Sequence, residues 1–542
     1  MNLPLTPIRC LLRAAQEYGS KIGIVDGDQR TTWSEVWDRT RRIATALSEL
    51  GINEGECVAS LSFNCRQLIE LYYAAPTARA MLLSLNVRLS AEEQAFILRH
   101  SGTKLVLFEP EFLPVIEGLR RELPELRWVS LVQSDDLPSW VEPRHYEQLI
   151  AESEPLEVDF TQYDENQVAE LFYTSGSTGR PKGVMQSHRT LYLHALGVVM
   201  GQRRRACAIA ADEIVEAHTI PLFHANGWGR AHTITMMGGR HVMLRRFDPE
   251  QLCQTIEQER VTSFSMVPAM AAALLSFPKL HEYDLRSLDE VNIGGAASSP
   301  SLVRRLEEAL RCNIFTGYGL TESGPVSTMA DLKQTLGPLS DAARYARQAM
   351  TGWAMPGTEL RVVDPEGVDL PQDGESIGEA LLRGDGVMDG YWAEPEATAQ
   401  AMEGSWLHTG DMAVWDEDRY LLIVDRKKDI IISGGENISS LEIEKVLAAH
   451  PAVYEAAVIG IPDEKWGEAP KAIISLKQGQ SVDAEELRAH VREHLAGFKV
   501  PSSIEFHDEL PKGATGKILK RVLREPYWEG RLKKVQGDAF EG

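Results

Sequence analysis

The sequence predicts an α/β protein, a large N-terminal domain followed by a smaller α+β domain, and three observations predict it. From about Thr6 to Val424, short strand-like runs at 171–173, 261–267 and 291–293 alternate with amphipathic stretches such as 301–310. That alternation is expected of buried, largely parallel strands joined by helices. The stretch 301–310 places Leu302, Leu306 and Leu310 on one face, as 3.6 residues per turn requires. After Asp425-Arg426-Lys427-Lys428-Asp429 the units shorten: residues 441–450 and 484–495 read as helices, and 454–461, 471–476 and 503–506 as strands. The charged pentapeptide is the expected hinge, giving domains at 1–427 and 428–542; a charged turn inside one continuous domain is the alternative. The segment beyond it, about 115 residues, suffices for a core of its own.

The chain has 542 residues and 60.3 kDa, with 43% hydrophobic and 25% charged residues. This composition excludes collagen-like, low-complexity and coiled-coil architectures, and roughly 150 residues per domain gives about three or four units. With 56 Lys and Arg against 79 Asp and Glu, the net charge is −23 and the pI about 5.1. Nucleic-acid binders show the opposite balance, because phosphate neutralisation supplies most of their affinity, so nucleic acid is not an expected partner. From Lys512 to Lys534 the sign reverses, with eight Lys or Arg facing only Glu525 and Glu529; such a stretch suits one anionic small ligand.

The six cysteines, at 10, 57, 65, 207, 253 and 312, form no CxxC pair and have no histidine at metal-ligand spacing. Neither structural zinc nor a disulfide scaffold is expected. The first residues lack a basic segment leading into a long apolar run, and no window approaches about 18 uninterrupted apolar residues. A cytoplasmic, reduced protein with no transmembrane segment is the expectation.

The strongest chemical signal is Tyr173-Thr174-Ser175-Gly176-Ser177-Thr178-Gly179-Arg180-Pro181-Lys182-Gly183, directly after the strand-like 169–172. Gly176 and Gly179 let successive backbone N–H groups turn toward one anion, Ser175, Ser177 and Thr178 join Thr174 in offering hydroxyls, and Lys182 supplies charge. Such a loop can cradle a polyphosphate. It is not a Walker A loop, since Pro181 stands where the glycine before the lysine is required and no Ser or Thr follows Lys182.

This segment resembles the phosphate loop of the adenylate-forming acyl-CoA synthetases, and further matches follow in order along nearly the whole chain. The resemblance implies a large N-terminal domain of packed sheets and helices and a small mobile C-terminal domain that swings over the active site. It implies a two-step reaction using ATP, Mg²⁺ and CoA: a carboxylate attacks the α-phosphate and releases pyrophosphate, then the CoA thiol displaces AMP. Adenylation turns a poor oxide leaving group into a stabilised phosphate, and charge neutralisation by a cation and Lys is the expected lever.

Gly317-Tyr318-Gly319-Leu320-Thr321-Glu322 resembles the second family motif. By that resemblance Tyr318 stacks on adenine, Thr321 approaches the α-phosphate and Glu322 holds Mg²⁺, a hard cation suited to carboxylate oxygen. His408-Thr409-Gly410-Asp411 resembles the ribose-binding segment, with Asp411 accepting from the ribose hydroxyls and Arg426 contacting the same nucleotide; Lys428 stands at the pivot. Ile432-Ser433-Gly434-Gly435-Glu436-Asn437 resembles the loop whose glycines, Gly434 and Gly435, let pantetheine pass. Pro511-Lys512-Gly513-Ala514-Thr515-Gly516-Lys517 resembles the motif whose last lysine, Lys517, reaches the carboxylate and α-phosphate during adenylation. Lys517 and the glycine loop lie on different faces of the small domain in relatives, which implies domain alternation within each turnover.

Phe223-His224-Ala225-Asn226-Gly227-Trp228 resembles the segment lining the acyl pocket, where fatty-acid relatives place a gating tryptophan four residues after the histidine. His224 is a candidate for the neighbourhood of the acyl carboxylate and Trp228 for the gate; core packing of both rings is the alternative. Amino-acid-activating relatives carry an aspartate where His224 stands, so an amino acid is not expected. Val267 with Gly294-Gly295-Ala296-Ala297 supplies the rest of the pocket wall, and these small residues leave room for a chain. A medium-chain fatty acid is the leading expectation, with longer, short branched, sulfur-containing and aryl acids open. Asn437 stands where fatty-acid relatives often carry Trp, as in aryl-acid ligases. A luciferase-type oxygenase, a non-catalytic sensor and transfer to a carrier protein are the competing readings. The resemblance allows a homodimer, which no sequence feature requires.

Overall fold

The computed structural model describes residues 3–175, 180–201, 213–296, 298–433, 436–463, 465–512 and 518–528, with backbone alone at 175, 436 and 437. Contacts divide the chain into two units. One comprises Met1–Leu360, Leu381–His408 and Arg419–Leu421; the other comprises Arg361–Ala380, Thr409–Asp418 and Leu422–Gly542. The chain passes between them within the strands Thr358–Val363, Gly378–Gly384, Trp406–Trp415 and Leu421–Arg426, and between Asp418 and Arg419.

Among the described residues the first unit holds two large sheets. One runs in the order Trp353–Ala354, Thr328–Met329, Asn313–Tyr318, Glu290–Ile293, Ser263–Met266, Val215–His218, Arg240–Met243, Ile22–Asp26 and Gln29–Thr32. Its six central strands are parallel and its edges antiparallel. The other runs Gly390–Tyr391, Pro181–Ser187, Val168–Ser175, Met81–Ser84, Cys57–Leu61, Thr103–Phe108 and Arg127–Ser130, parallel except at the first two strands. Strands buried on both faces read as continuous apolar runs, which is why the runs at 171–173 and 291–293 stand out in the sequence.

Helices Trp33–Glu49 and Arg66–Thr77 contribute most of the helical residues in the core that the sheets share. Trp33–Glu49 starts in a capping box between Thr32 and Glu35, which satisfies backbone donors the helix cannot satisfy itself. Arg66–Thr77 is buried at every residue, Arg66 and Glu70 included. Leu68 and Tyr72 of this helix pack in one cluster with Ile24 and Met243 of the first sheet and Val58, Leu82 and Phe172 of the second. Its buried carboxylate is matched: Arg39 Nε lies 2.6 Å from Glu70 Oε1, Arg66 Nε 3.6 Å from the same oxygen, and Tyr146 donates to Oε2 at 2.9 Å. Helix Pro300–Leu310 corrects the sequence-derived face. Val303, Leu306 and Leu310 are its buried residues and Leu302 is only partly buried, because the inward stripe centres one position later.

In the second unit Glu436–Ile438, Ile431–Ser433, Gly467–Leu476 and Val453–Asp463 form an antiparallel run, and Ser503–Phe506 joins Gly467–Leu476 in parallel. Alternate residues of the long strands face opposite ways. Val458 and Ile474 therefore pack with Ile443, Leu447, Leu487 and Val491 of helices Ser440–Ala449 and Ala484–His494. Ala457, Ile459 and Ile473 pack with Leu523 of helix Lys520–Trp528. Among the described residues no helix is long and apolar enough to cross a membrane.

The first unit buries several neutral histidines. Burial pushes His188, His194 and His218 down to about 4 from an ordinary 6.5, and His241, which stacks on His218, lower still. The unfolded chain takes up these protons near pH 6.5 and the folded protein only near pH 4. The stability the neutral rings confer is therefore complete above pH 6.5 and drains away as pH falls toward 4. Stability should decline across that window by roughly 1.4 kcal/mol per pH unit for each such histidine, followed as the melting temperature in a pH series; a flat profile there would contradict neutral burial.

Candidate active site

The segments singled out in the first unit lie just beyond the C-terminal ends of parallel strands: residues 219–229 after Val215–His218, Val267 after Ser263–Met266, Gly294 and Gly295 after Glu290–Ile293, and Leu320–Glu322 after Asn313–Tyr318. Open α/β sheets bind ligands at that end. Thr174 also ends a strand, Val168–Ser175, and faces Lys182 across the antiparallel pairing with Pro181–Ser187.

Glu322 is where these segments meet. Its Oε1 accepts from Thr174 Oγ1 at 3.3 Å and from the Tyr391 hydroxyl at 3.0 Å, and Lys182 Nζ stands 5.0 Å from the centre of the Tyr391 ring. Burial and the Glu322 carboxylate together hold the Tyr391 hydroxyl protonated well above its usual range. A divalent cation fits this donor set, because both hydrogen bonds fall on Oε1 while Oε2 carries neither, and carboxylate and hydroxyl oxygens are hard ligands. The backbone here has little freedom. Gln186 Nε2 donates to the Thr321 carbonyl at 3.0 Å, Ser327 N donates to the Tyr318 carbonyl at 2.9 Å, and Met388 N donates to the Glu322 carbonyl at 2.9 Å. At Gly319 a Cβ would sit 1.9 Å from the Pro325 carbonyl oxygen, and at Gly317 3.3 Å from Asn292 Oδ1. Tyr318 and Thr321 are half-buried on this turn.

The residues expected on the acyl side gather around Trp228. A Cβ at Gly294 would lie 3.0 Å from Trp228 Cζ3, and one at Gly295 3.3 Å from Cζ2 and 3.2 Å from Val267 Cγ1. The indole therefore lies against buried Gly294 and exposed Gly295 beside Val267, and His224 packs on Phe223 with ring centres 4.6 Å apart. Ala296 is exposed. Residues 225–229 all have positive φ, from 44° at Asn226 to 78° at Gly229, and left-handed backbone costs a residue other than glycine about 1–2 kcal/mol. Buried hydrogen bonds hold the turn in place. Asn226 Nδ2 donates to Glu170 Oε2 at 2.8 Å, and His232 Nε2 lies 2.5 Å from Glu170 Oε1. Asn64 Nδ2 donates to the carbonyls of His218 and Ile220, and its Oδ1 accepts from Leu222 N.

In the second unit Arg426 Nε pairs with Asp411 Oδ1 at 2.7 Å, the carboxylate buried and the arginine exposed. Gly410, at φ 66°, donates to Glu379 Oε1, and Lys427 reaches Glu379 Oε2 at 3.0 Å. The Lys428 carbonyl accepts from Arg524 Nη1 at 2.7 Å. Nearby, Asp425 Oδ2 accepts from both N and Oγ of Ser440 at 2.6 Å; Lys520 Nζ donates to Ser440 Oγ at 2.5 Å and lies 2.7 Å from Glu444 Oε1. Burial pushes the Glu444 carboxyl up to about 7 against the pull of Lys520. Lys520, which burial alone would lower, is held above its usual value by Glu444 and Asp425.

Thr174, Lys182, Gly317, Tyr318, Gly319, Thr321 and Glu322 thus share one region of the first unit with His224, Trp228, Val267 and Gly295, while Asp411, Arg426 and Lys428 belong to the second. The expectations at Gly176, Ser177, Thr178, Gly179, Ala297, Gly434, Gly435 and Lys517 lie outside the described residues, as does the side chain of Ser175. Sequence reasoning missed Tyr391, which only a Gly-Tyr pair marks, and Glu170, whose signal was present as one acid inside an apolar strand. Asn226→Ala should destabilise the protein by about 2–3 kcal/mol, through left-handed strain and the unpaired Glu170 oxygen, whereas Asn226→Gly should recover the strain component; denaturant titration of the two variants checks this.

The profile of the AMP-binding enzyme family matches residues 11–392, and that of the AMP-binding enzyme C-terminal domain residues 442–517. The long-chain-fatty-acid–CoA ligase of Thermus thermophilus is 37% identical over 501 residues, 92% of this chain and 90% of that protein. The 3-methylmercaptopropionyl-CoA ligase of Ruegeria pomeroyi is 33% identical over 535 residues, 97% of this chain and 98% of that protein. Among solved structures, an anthranilate CoA ligase in complex with anthranoyl-AMP superposes with a TM-score of 0.84 at 28% identity, covering 97% of this chain and 98% of that one. The ordered motifs, the strand-end site and both family matches agree: the chain belongs to the AMP-binding enzyme family and is an adenylate-forming acyl-CoA synthetase.

Proposed function

We propose that the protein activates an apolar carboxylic acid, foremost a medium-chain fatty acid, as its acyl-adenylate and passes the acyl group to CoA, releasing pyrophosphate and then AMP. The observation that carries this reading is the Trp228 indole lying over Gly294 and Gly295 beside Val267, an apolar wall a few residues from His224. In the first step a carboxylate oxygen attacks the α-phosphorus and pyrophosphate leaves. Thr174 and Lys182 bind the phosphates, Tyr318 holds the adenine, Thr321 approaches the α-phosphate, and Asp411 with Arg426 holds the ribose. Glu322 and the Thr174 hydroxyl would hold Mg²⁺, which supplies charge neutralisation at the phosphates. Tyr391, protonated and donating to Glu322, fixes the carboxylate's orientation. Lys517 neutralises charge developing on the carboxylate and α-phosphate.

In the second step the thiol sulfur attacks the acyl carbon and AMP leaves. For this step the domain 428–542 turns about Lys428, withdraws Lys517 and presents Gly434 and Gly435 to pantetheine. The names of relatives range over long-chain fatty acid, butyrate, 3-methylmercaptopropionate and trans-cinnamate, so the acid is the part to test. Purified protein with Mg-ATP, CoA and a pooled panel from acetate through long fatty acids to benzoate and cinnamates should yield chiefly a medium-chain thioester with matching AMP, read by mass spectrometry. A dominant aryl thioester would keep the mechanism and overturn the acid; acyl-AMP without thioester would overturn CoA as acceptor.

Two substitutions test the assigned roles. Lys517→Ala should abolish acyl-adenylate formation yet spare thioester formation from supplied acyl-adenylate, and equal loss in both half-reactions would remove the assignment. Gly319→Ala forces the adenine-side turn off the Pro325 carbonyl, and adenylate formation should fall by about 100-fold or more, the scale of loss when reacting groups are misplaced by an ångström.

A further inference from the structure

Helix Ala484–His494 ends in His490, Glu493 and His494, spaced so that all three project from one side of the last turn. One ligand atom from each, an imidazole nitrogen or a carboxylate oxygen, lies within 4.8 Å of the others. Glu493 and His494 are exposed and His490 half-buried, so an ion can reach them from solvent. We infer that this cluster is a binding site for a borderline transition-metal cation of the zinc type, a role separate from the adenylation chemistry.

The hydrogen bonds already in place choose the right tautomers. His490 Nε2 lies 3.1 Å from the Val446 carbonyl and His494 Nδ1 2.8 Å from the His490 carbonyl. A carbonyl only accepts, so these two nitrogens carry the protons, and His490 Nδ1 and His494 Nε2 are the nitrogens with lone pairs. Metal-bound histidines characteristically donate their other N–H to a carbonyl in this way, which fixes the ring and raises its basicity. Two imidazoles and a carboxylate at about 2.0–2.2 Å, with water completing the set, make a common zinc coordination. A cation at the last turn also meets the negative end of the helix dipole. His450 packs beside His490 with ring centres 5.2 Å apart, but its Nδ1 accepts from Ala452 N and its Nε2 faces Glu486, so it is not a ligand.

Competition from elsewhere among the described residues is weak. Cys10, Cys57, Cys65, Cys253 and Cys312 are buried, and burial raises the thiols of the first four; only a thiolate binds metal. Mg²⁺ prefers an all-oxygen shell and leaves the imidazoles to softer ions.

The test is calorimetric titration of the metal-free, full-length protein with Zn²⁺ in excess Mg²⁺, with Cu²⁺ electron paramagnetic resonance as a direct reading of bound nitrogen. The wild type should bind an ion at one tight site, and the Cu²⁺ spectrum should show imidazole nitrogens. In His490→Ala/His494→Ala that site should weaken by at least about tenfold and the nitrogen signal vanish. His494→Ala and Glu493→Gln, both at exposed positions, should each weaken binding and keep the melting temperature of the apo protein, which separates lost ligation from lost folding. Cys207→Ser and His450→Ala should bind as the wild type does. Unchanged titration of the double variant, no tight site in the wild type, or loss of the site in Cys207→Ser would each overturn the inference.

Discussion

A single carboxylate with no solvent exposure, Glu170, ties two halves of the site to one another. It stands on the strand that leads into Thr174, and its two oxygens serve Asn226 and His232. Those bonds hold the left-handed run at 225–229 in place, although three of its residues, Ala225, Asn226 and Trp228, adopt a backbone conformation they disfavour. The strain is thus stored next to the reacting region and held by surrounding structure, a pattern seen where side chains must be aimed rather than merely packed. The same strand pairs with Met81–Ser84 and so with the interior of the second sheet, which anchors Thr174 and the turn at 225–229 on one strand.

At the proposed nucleotide site Glu322 plays a comparable role in a less buried setting. It is half-buried rather than sealed, and donors from two other segments converge on one of its oxygens. The arrangement leaves a carboxylate oriented before any ligand arrives. Preorganisation of this kind is what makes a charged group effective in phosphoryl chemistry, since no reorganisation is needed as charge shifts. The glycines around it follow from packing: Gly319 exists because the chain doubles back onto Pro325 with no room for a Cβ.

The large-scale organisation was readable because buried parallel strands have a plain signature, and 291–293 and 503–506 are strands to within a residue. Two limits were equally physical. The helix face at 301–310 was read one residue early, since a stripe of leucines does not mark its own centre when a valine shares the burial. The candidate site was legible where glycine, hydroxyl and charge crowd into a short span, as around Thr174 and Glu322. It was not legible at Tyr391, Glu170 or Lys520, whose partners lie 69, 56 and 80 residues away; Lys520 in particular sits in a basic stretch and reads as one more solvated charge. Pairings of that range are written only in three dimensions.

The joint beneath Lys428 has a bearing on tempo. Asp425 precedes the proposed pivot, while Ser440, which it holds directly, and Lys520, which reaches the same serine hydroxyl, follow it. Turning the chain at Lys428 would part the two buried Asp425–Ser440 hydrogen bonds together or leave them together, with little in between. The small domain would then behave less like a door on a slack hinge than like a switch with two detents, and the interval between clicks would be written in one carboxylate's hold on one serine.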